Sequence, residues 1–241
     1  MKKRAWASIA VMSVTLSACG GGGDDGAPAA STKTSSVLTF PLAQAFADFV
    51  ANGHTFNFDM SATVAGVPSE NTATGTVTYG AATSGEFEGQ SVLRQISTIT
   101  GNVSNGTTTL PYSDTLEDFY TTNYQYMGSN YPGSSYCVAR DIVSYPQTVE
   151  VGDTGTLGVE DCYADSTKLL KVEDITMTYV IEAETATTVI FNAISTDKST
   201  SGTVTGVEHD RFRITETGGM EWVSGGYTDY SDSSTITVTV K

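Results

Sequence analysis

The residues that could do chemistry are few, and their spacing excludes more than it offers. The 241-residue chain has two histidines, His54 and His209, and three cysteines, Cys19, Cys137 and Cys162. A serine hydrolase needs a histidine between an acid and an activated hydroxyl. Glu208-His209-Asp210-Arg211 supplies a His-Asp pair, but no Gly-x-Ser-x-Gly elbow accompanies it, and no Walker loop occurs. The quartet therefore reads as the charged solvent face of a strand. Neither histidine has a second His or Cys at zinc-ligand spacing. Adjacent acids occur at Glu117-Asp118, Glu160-Asp161 and Glu173-Asp174. In a strand, neighbours point to opposite faces, so neither member of a pair can help the other on one substrate atom. A carboxylate pair formed across strands stays open. Asp229 and Asp232, or the Gly152-Asp153 turn, could take calcium, though no Asp-x-Asp-x-Asp-Gly ladder is present. Tyrosine is concentrated mid-chain, and Tyr120, Tyr124 and Tyr126 share one parity. A rigid apolar ring with a polar tip suits a binding surface, though ordinary half-buried strand packing is the plainer explanation. No catalytic residue, metal or cofactor is assigned on these grounds.

The remaining cysteine has a context of its own. Lys2, Lys3 and Arg4 precede an almost wholly apolar run from Ala5 to Leu16, and small residues lead into Cys19. That is a three-part export signal, too short and wrongly flanked for a spanning helix. Its end, Leu16-Ser17-Ala18-Cys19, resembles the lipobox of bacterial lipoproteins. An ordinary signal peptide with a chance cysteine is the alternative. The resemblance implies removal of residues 1–18, a diacylglyceryl thioether on Cys19 and an amine acylated by a fatty acid such as palmitate. In lipoproteins of the enterobacterial type, an Asp directly after the cysteine retains the protein in the inner membrane. Gly20 stands there in this chain, which by resemblance implies the outer membrane, facing the periplasm or the cell surface. With Cys19 lipidated, Cys137 and Cys162 remain as a pair in an oxidising compartment, and a structural disulfide is expected.

Charge narrows the partners. The net charge is −15, and a signal that takes three cations and no acid with it would leave −18. Such a surface is repelled by phosphate backbones and anionic head groups. Nucleic acid is excluded as a partner, and membrane attachment has to come from the N-terminal lipid.

Elements that could position any of these residues follow in order. Residues 19–36, Gly-rich and then Ala/Pro/Ser/Thr-rich, contain no large apolar side chain and read as a flexible tether. Residues 37–241 read as one domain. Leu42, Ala45, Phe46, Phe49 and Val50 form a single helical stripe, with Pro41 in the first turn, Thr39 as its cap and Asn52-Gly53 as its stop. The rest has strand chemistry. Phe56, Phe58, Met60 and Ala62 alternate with polar neighbours, as do Ile175, Met177, Tyr179 and Ile181. Gly66 and Pro68 break the first run. Phe87 to Val103 reads as one strand bent at a glycine, Leu116 to Met127 as another strand, and Gly128 to Ser135 as a loop. Asn105-Gly106 marks a hairpin.

About ten to twelve strands and one short N-terminal amphipathic helix, without βαβ alternation, give a mainly β fold. It is an antiparallel meander forming a barrel, half-barrel or sandwich. The body resembles envelope lipoproteins of Gram-negative bacteria that carry no known activity. The first functional expectation is a non-enzymatic, membrane-anchored binding or envelope-interaction module, its partner an envelope protein or an apolar ligand. The alternative is a carrier of lipid or another apolar ligand in a curved sheet plugged by the helix. An envelope hydrolase has only scattered acids in its favour. An open apolar cavity inside the sheet would favour the carrier; a filled core would favour the first expectation.

Overall fold

The computed structural model describes residues 38–64, 71–231 and 233–241. The lipobox-like segment with Cys19, the tether, the Gly66 and Pro68 break and Asp232 lie outside the described residues.

The apolar stripe forms the helix α1 (Leu42–Asn52), which buries Leu42, Ala45, Phe49 and Val50. Its N-cap is Pro41 and no side chain caps it, so Thr39 does not take the role expected of it. The helix stops at Gly53, whose φ is 69° and whose N–H donates to Phe49 O at 3.2 Å. A Cβ there would stand 2.6 Å from Tyr79 O, so only glycine lets the chain turn directly into the sheet.

Thirteen strands follow among the described residues. They are β1 (His54–Val64), β2 (Asn71–Tyr79), β3 (Thr83–Phe87), β4 (Gln90–Ser104), β5 (Thr109–Tyr120), β6 (Tyr126–Tyr131) and β7 (Ser135–Ala139). After them come β8 (Thr154–Tyr163), β9 (Lys171–Ala183), β10 (Thr188–Ser199), β11 (Val204–Thr215), β12 (Met220–Asp229) and β13 (Ser234–Val240). Nearly all pair with their chain neighbours, antiparallel throughout. Two pairings break the sequence: β1 joins β13, and β2 joins β4. These close a 12-stranded antiparallel barrel and leave β3 outside as a flap on β4. Of the three architectures left open by the sequence, the closed barrel is the one formed.

Three local expectations fail for identifiable reasons. The run from Phe87 to Val103 is two strands, because Glu88 and Gly89 both take positive φ, 51° and 72°, the signature of a two-residue hairpin. The run from Leu116 to Met127 is broken at Thr121–Gln125, where Thr121 N–H meets Gln125 O at 2.8 Å and Tyr124 has φ 61°. Tyr124 thus sits in a turn and shares no strand face with Tyr120 and Tyr126. The stretch from Gly128 to Ser135 is mostly strand, with residues 132–134 making the turn between β6 and β7.

The helix lies across one end of the barrel, where β1, β10 and β12 start and β2, β9 and β11 finish. Leu42, Ala45 and Phe49 pack there with Phe40, Val149, Ile181, Val189, Phe191 and Ile214 in one buried cluster. Phe40 is pinned by a two-way backbone bridge to Val149, 2.8 and 2.9 Å. Phe49 stacks on His54 with ring centroids 4.4 Å apart and meets Tyr79 and Phe212 edge-on. Gln95, 1% exposed, ties the helix to the sheet by donating to Val50 O (3.3 Å) and Gly80 O (3.0 Å).

Candidate ligand-binding cavity

Strand parity decides what the barrel encloses. On each strand alternate residues face inward, and beyond the helix their character changes. A barrel of about eight strands is just filled by its own side chains, whereas twelve leave room in the middle. Here the room is a cavity of about 380 Å³. It begins below the cluster under the helix and runs to the opposite end, where Tyr131, Ser135, Asp197 and Tyr227 border it.

Its wall has two halves. Phe58 and Met60 of β1, Val77 of β2, Ile99 of β4, Trp222 of β12 and Ile236 and Val238 of β13 make an apolar side. Facing it, Asp114 and Asp118 of β5, Glu160 of β8, Asp197 of β10, and Glu208 and Asp210 of β11 bring six carboxyl groups inward. The lining contains no Lys, Arg or His. The four arginines among the described residues stand on the outer face in ion pairs: Arg94 with Glu117, Arg140 with Asp161 and Asp174, Arg211 with Glu182, and Arg213 with Glu184. Among the described residues the arginines thus stand outside and these six acids within.

Neutral donors stabilise several of these acids. Tyr112 and Tyr131 both donate to Asp114 Oδ2, Tyr112 at 2.8 Å. Tyr126 donates to Glu160 Oε2 at 3.3 Å, and Trp222 Nε1–H to Asp210 Oδ1 at 3.2 Å. Glu208, next to Asp210 on the same inward face, favours the Asp210 carboxylate. Burial still dominates the electrostatics. It pushes the Asp118 carboxyl up to about 7 and the Asp210 carboxyl to about 6, despite the bonds from Trp222 and Glu208. The Tyr126 hydroxyl is raised well above its usual range by burial and by the neighbouring Glu160. Ser97 of β4 borders the cavity at 4% exposure, and its hydroxyl has no hydrogen-bond partner among the described residues.

Cys137 and Cys162 face one another across β7 and β8, Cα atoms 4.0 Å apart and sulfurs 2.17 Å apart, beside Ile175 in the same wall. Glu160 lies close to both sulfurs. Sulfurs joined to each other offer no thiolate to a metal, so this trio is a wall element.

The residues singled out in the sequence divide unequally. Tyr126 lines the cavity; Tyr120 is buried beneath it, edge-on to Phe46. His54 stacks against the helix, and His209 Nδ1 lies 3.2 Å from Asn192 Oδ1, so neither histidine borders the cavity. The reading of Glu208-His209-Asp210-Arg211 as a solvent face is overturned: Glu208 and Asp210 face the lumen and His209 is buried. A hollow barrel hides acids on the face that would otherwise be core. Ser195 and Lys198 stand at Ser-x-x-Lys spacing, but only Ser195 borders the cavity, because residues three apart in a strand face opposite ways. Asp229 caps a turn through Ser231 N–H at 2.7 Å, and Asp153 does the same for Glu150 N–H at 2.8 Å. Asp114, Asp197 and Ser97 were not singled out. Their signal is parity: Asp114 falls in step with Leu116 and Asp118, and Ser97 with Ile99.

No protein-family model and no curated protein matches the chain. Among solved structures, a crystal structure provisionally assigned as an outer membrane lipoprotein-sorting protein domain from Vibrio parahaemolyticus matches at 10% identity. The alignment covers 82% of this chain and 87% of that one, with a TM-score of 0.33. A likeness of that degree says nothing of ligand or role.

Proposed function

We propose that the chain is a non-enzymatic binding barrel of the cell envelope. It is held at the outer membrane through a lipid on Cys19, and it carries a small ligand with an apolar body in its lumen. The observation that carries this reading is the half-apolar cavity of about 380 Å³ inside a closed barrel whose other end is sealed by α1. That volume falls in the range of small-molecule pockets, and a concave, mostly apolar wall with a few placed polar groups is how such pockets are built. The tether-like composition of residues 19–36 supports a domain that turns freely near its membrane. A filled barrel would have favoured the pure interaction module; the unfilled one favours the carrier.

Organic extraction of the purified full-length protein, followed by mass spectrometry, tests the reading. A small molecule should be recovered in proportion to protein. It should be lost from Val238→Trp, which fills the apolar side, while the melting transition of that variant stays cooperative. Equal recovery from both proteins, or none from either, would overturn the lumen as the binding site.

A further inference from the structure

We propose that the lumen selects an organic cation, an ammonium or guanidinium head on an apolar body, with the head on the acidic wall and the body against Trp222, Ile99 and Val238. This rests on the binding-barrel reading and names the chemical class of its ligand.

Four observations converge. Six carboxyl groups from four strands enter one space, and among the described residues no cationic side chain borders it. A protein that only needed a polar lumen could have placed some of its arginines there, yet all those described are engaged outside. Carboxyl groups taken from water cost free energy unless a counter-charge meets them. Here tyrosine and tryptophan donors meet some, while among the described residues no hydrogen bond reaches the Asp118 carboxyl. Second, and independently of the acids, Ser97 borders the same space, and its buried hydroxyl has no hydrogen-bond partner among the described residues. Such a group is rare in native proteins and is satisfied by whatever occupies the space beside it. An N–H of an ammonium or guanidinium would donate to it.

Third, the acids are dispersed. Among the described residues, the only trio of potential ligand atoms close enough for one metal ion is Glu160 with the two bridged cysteines. A wall that spreads its charge over several strands suits an organic head with several N–H groups better than one compact divalent ion. Fourth, aromatic faces accompany the acids: Phe58, Phe212, Trp222, Tyr126, Tyr131 and Tyr227 all line the cavity. Aromatic faces attract cations and pack well on apolar bodies. Anionic amphiphiles, the ordinary phospholipids among them, are disfavoured by the same wall.

The test uses three probes with one tail: octylammonium, 1-octanol and octyl sulfate, each titrated calorimetrically into the full-length protein at pH 8. Octylammonium should bind at least about ten-fold more tightly than 1-octanol, the scale of one close charge pair, and octyl sulfate should not compete. Asp118→Asn should remove most of that preference. Glu117→Gln, its outward-facing neighbour, should leave it unchanged; both variants are checked for a melt that stays cooperative. If all three probes bind equally, the barrel reading stands and the cation selection falls. If none binds, both fall. Calcium displacing octylammonium at equal concentration would overturn the inference in favour of a metal site.

Discussion

The two ends of this barrel obey one rule of strand parity and come out opposite. Beneath α1 the inward strand positions are Tyr179, Ile181, Val189, Phe191 and Ile214, joined by Phe40 and Val149 from outside the strands, with aromatic rings 4.4 to 5.5 Å apart around Phe49. Further along β5, β8, β10 and β11 the same inward parity carries Asp118, Glu160, Asp197 and Asp210 around an unfilled space. Stability is therefore concentrated at the plugged end, and the lumen is tolerated because that end supports it. Variants that act differently on the two regions sharpen the contrast.

The largest effect should come from Phe49→Ala. Phe49 is buried and meets His54, Phe56, Tyr79 and Phe212. Its loss should cost about 3–5 kcal/mol, measured by chemical denaturation. Phe46, half-buried against Tyr120 and Tyr145, should cost clearly less when truncated. Equal costs would mean that the plug is no better packed than its rim.

Reduction of Cys137–Cys162 comes next. The bridge spans a sequence separation of 25 in a wall with few apolar partners, and opening it should lower stability by about 3–4 kcal/mol on the chain-entropy account. Two thiols titrating in the native, unreduced protein would show that no bridge exists.

Asp118→Asn should act in the other direction. The Asp118 carboxyl titrates near 7 in the fold against an ordinary 3.8, with Tyr79, Tyr120, Tyr126 and Tyr145 as its charge-sensitive neighbours. Between those values the folded state holds the proton that the unfolded chain has lost, so stability falls as pH rises across that window. Removing the acid should raise the melting temperature by a few degrees at pH 8, about 1–2 kcal/mol, and change little near pH 4. A variant that is less stable at pH 8 would mean that the carboxylate has a stabilising partner there.

Ser97→Ala should have the smallest effect, under about 1 kcal/mol and favourable, because it removes a buried hydroxyl without a partner. A destabilisation above that would reveal an occupant hydrogen-bonded to Ser97 in the resting protein.

How much of this could be seen in the chain follows the same division. The plugged end was legible: the Leu42–Val50 stripe and the Ile175, Met177, Tyr179, Ile181 alternation are patterns whose apolar face can only be core. The lumen was not. Where both faces of a strand are polar, period two no longer says which face is inside, so Glu208 and Asp210 read as solvent-facing. The opposition of paired acids was correctly anticipated, since Glu117 faces out to Arg94 while Asp118 faces in. That the inner members of separate pairs meet in one space depends on barrel closure, which no local pattern encodes. Turn chemistry accounts for the rest. Glu88-Gly89 makes a hairpin with a non-glycine residue at positive φ, and a strand pattern runs across it undisturbed.

The pairings that close the barrel also set when it can exist. At β2–β4, Gly75 faces Gly101 so closely that a Cβ on either would stand 2.2 to 2.3 Å from a backbone oxygen of the facing strand. At β1–β13, Phe58 pairs with Val240 and Ala62 with Ile236. Until β13 has been made and threaded into place, β1 and β12 are bare edges and the enclosed space has no boundary. A chain clipped before Ser234 has strands and a helix but no enclosed space. On the binding-barrel proposal loading follows completion, and every incomplete copy shows an open edge that proteases and chaperones can recognise.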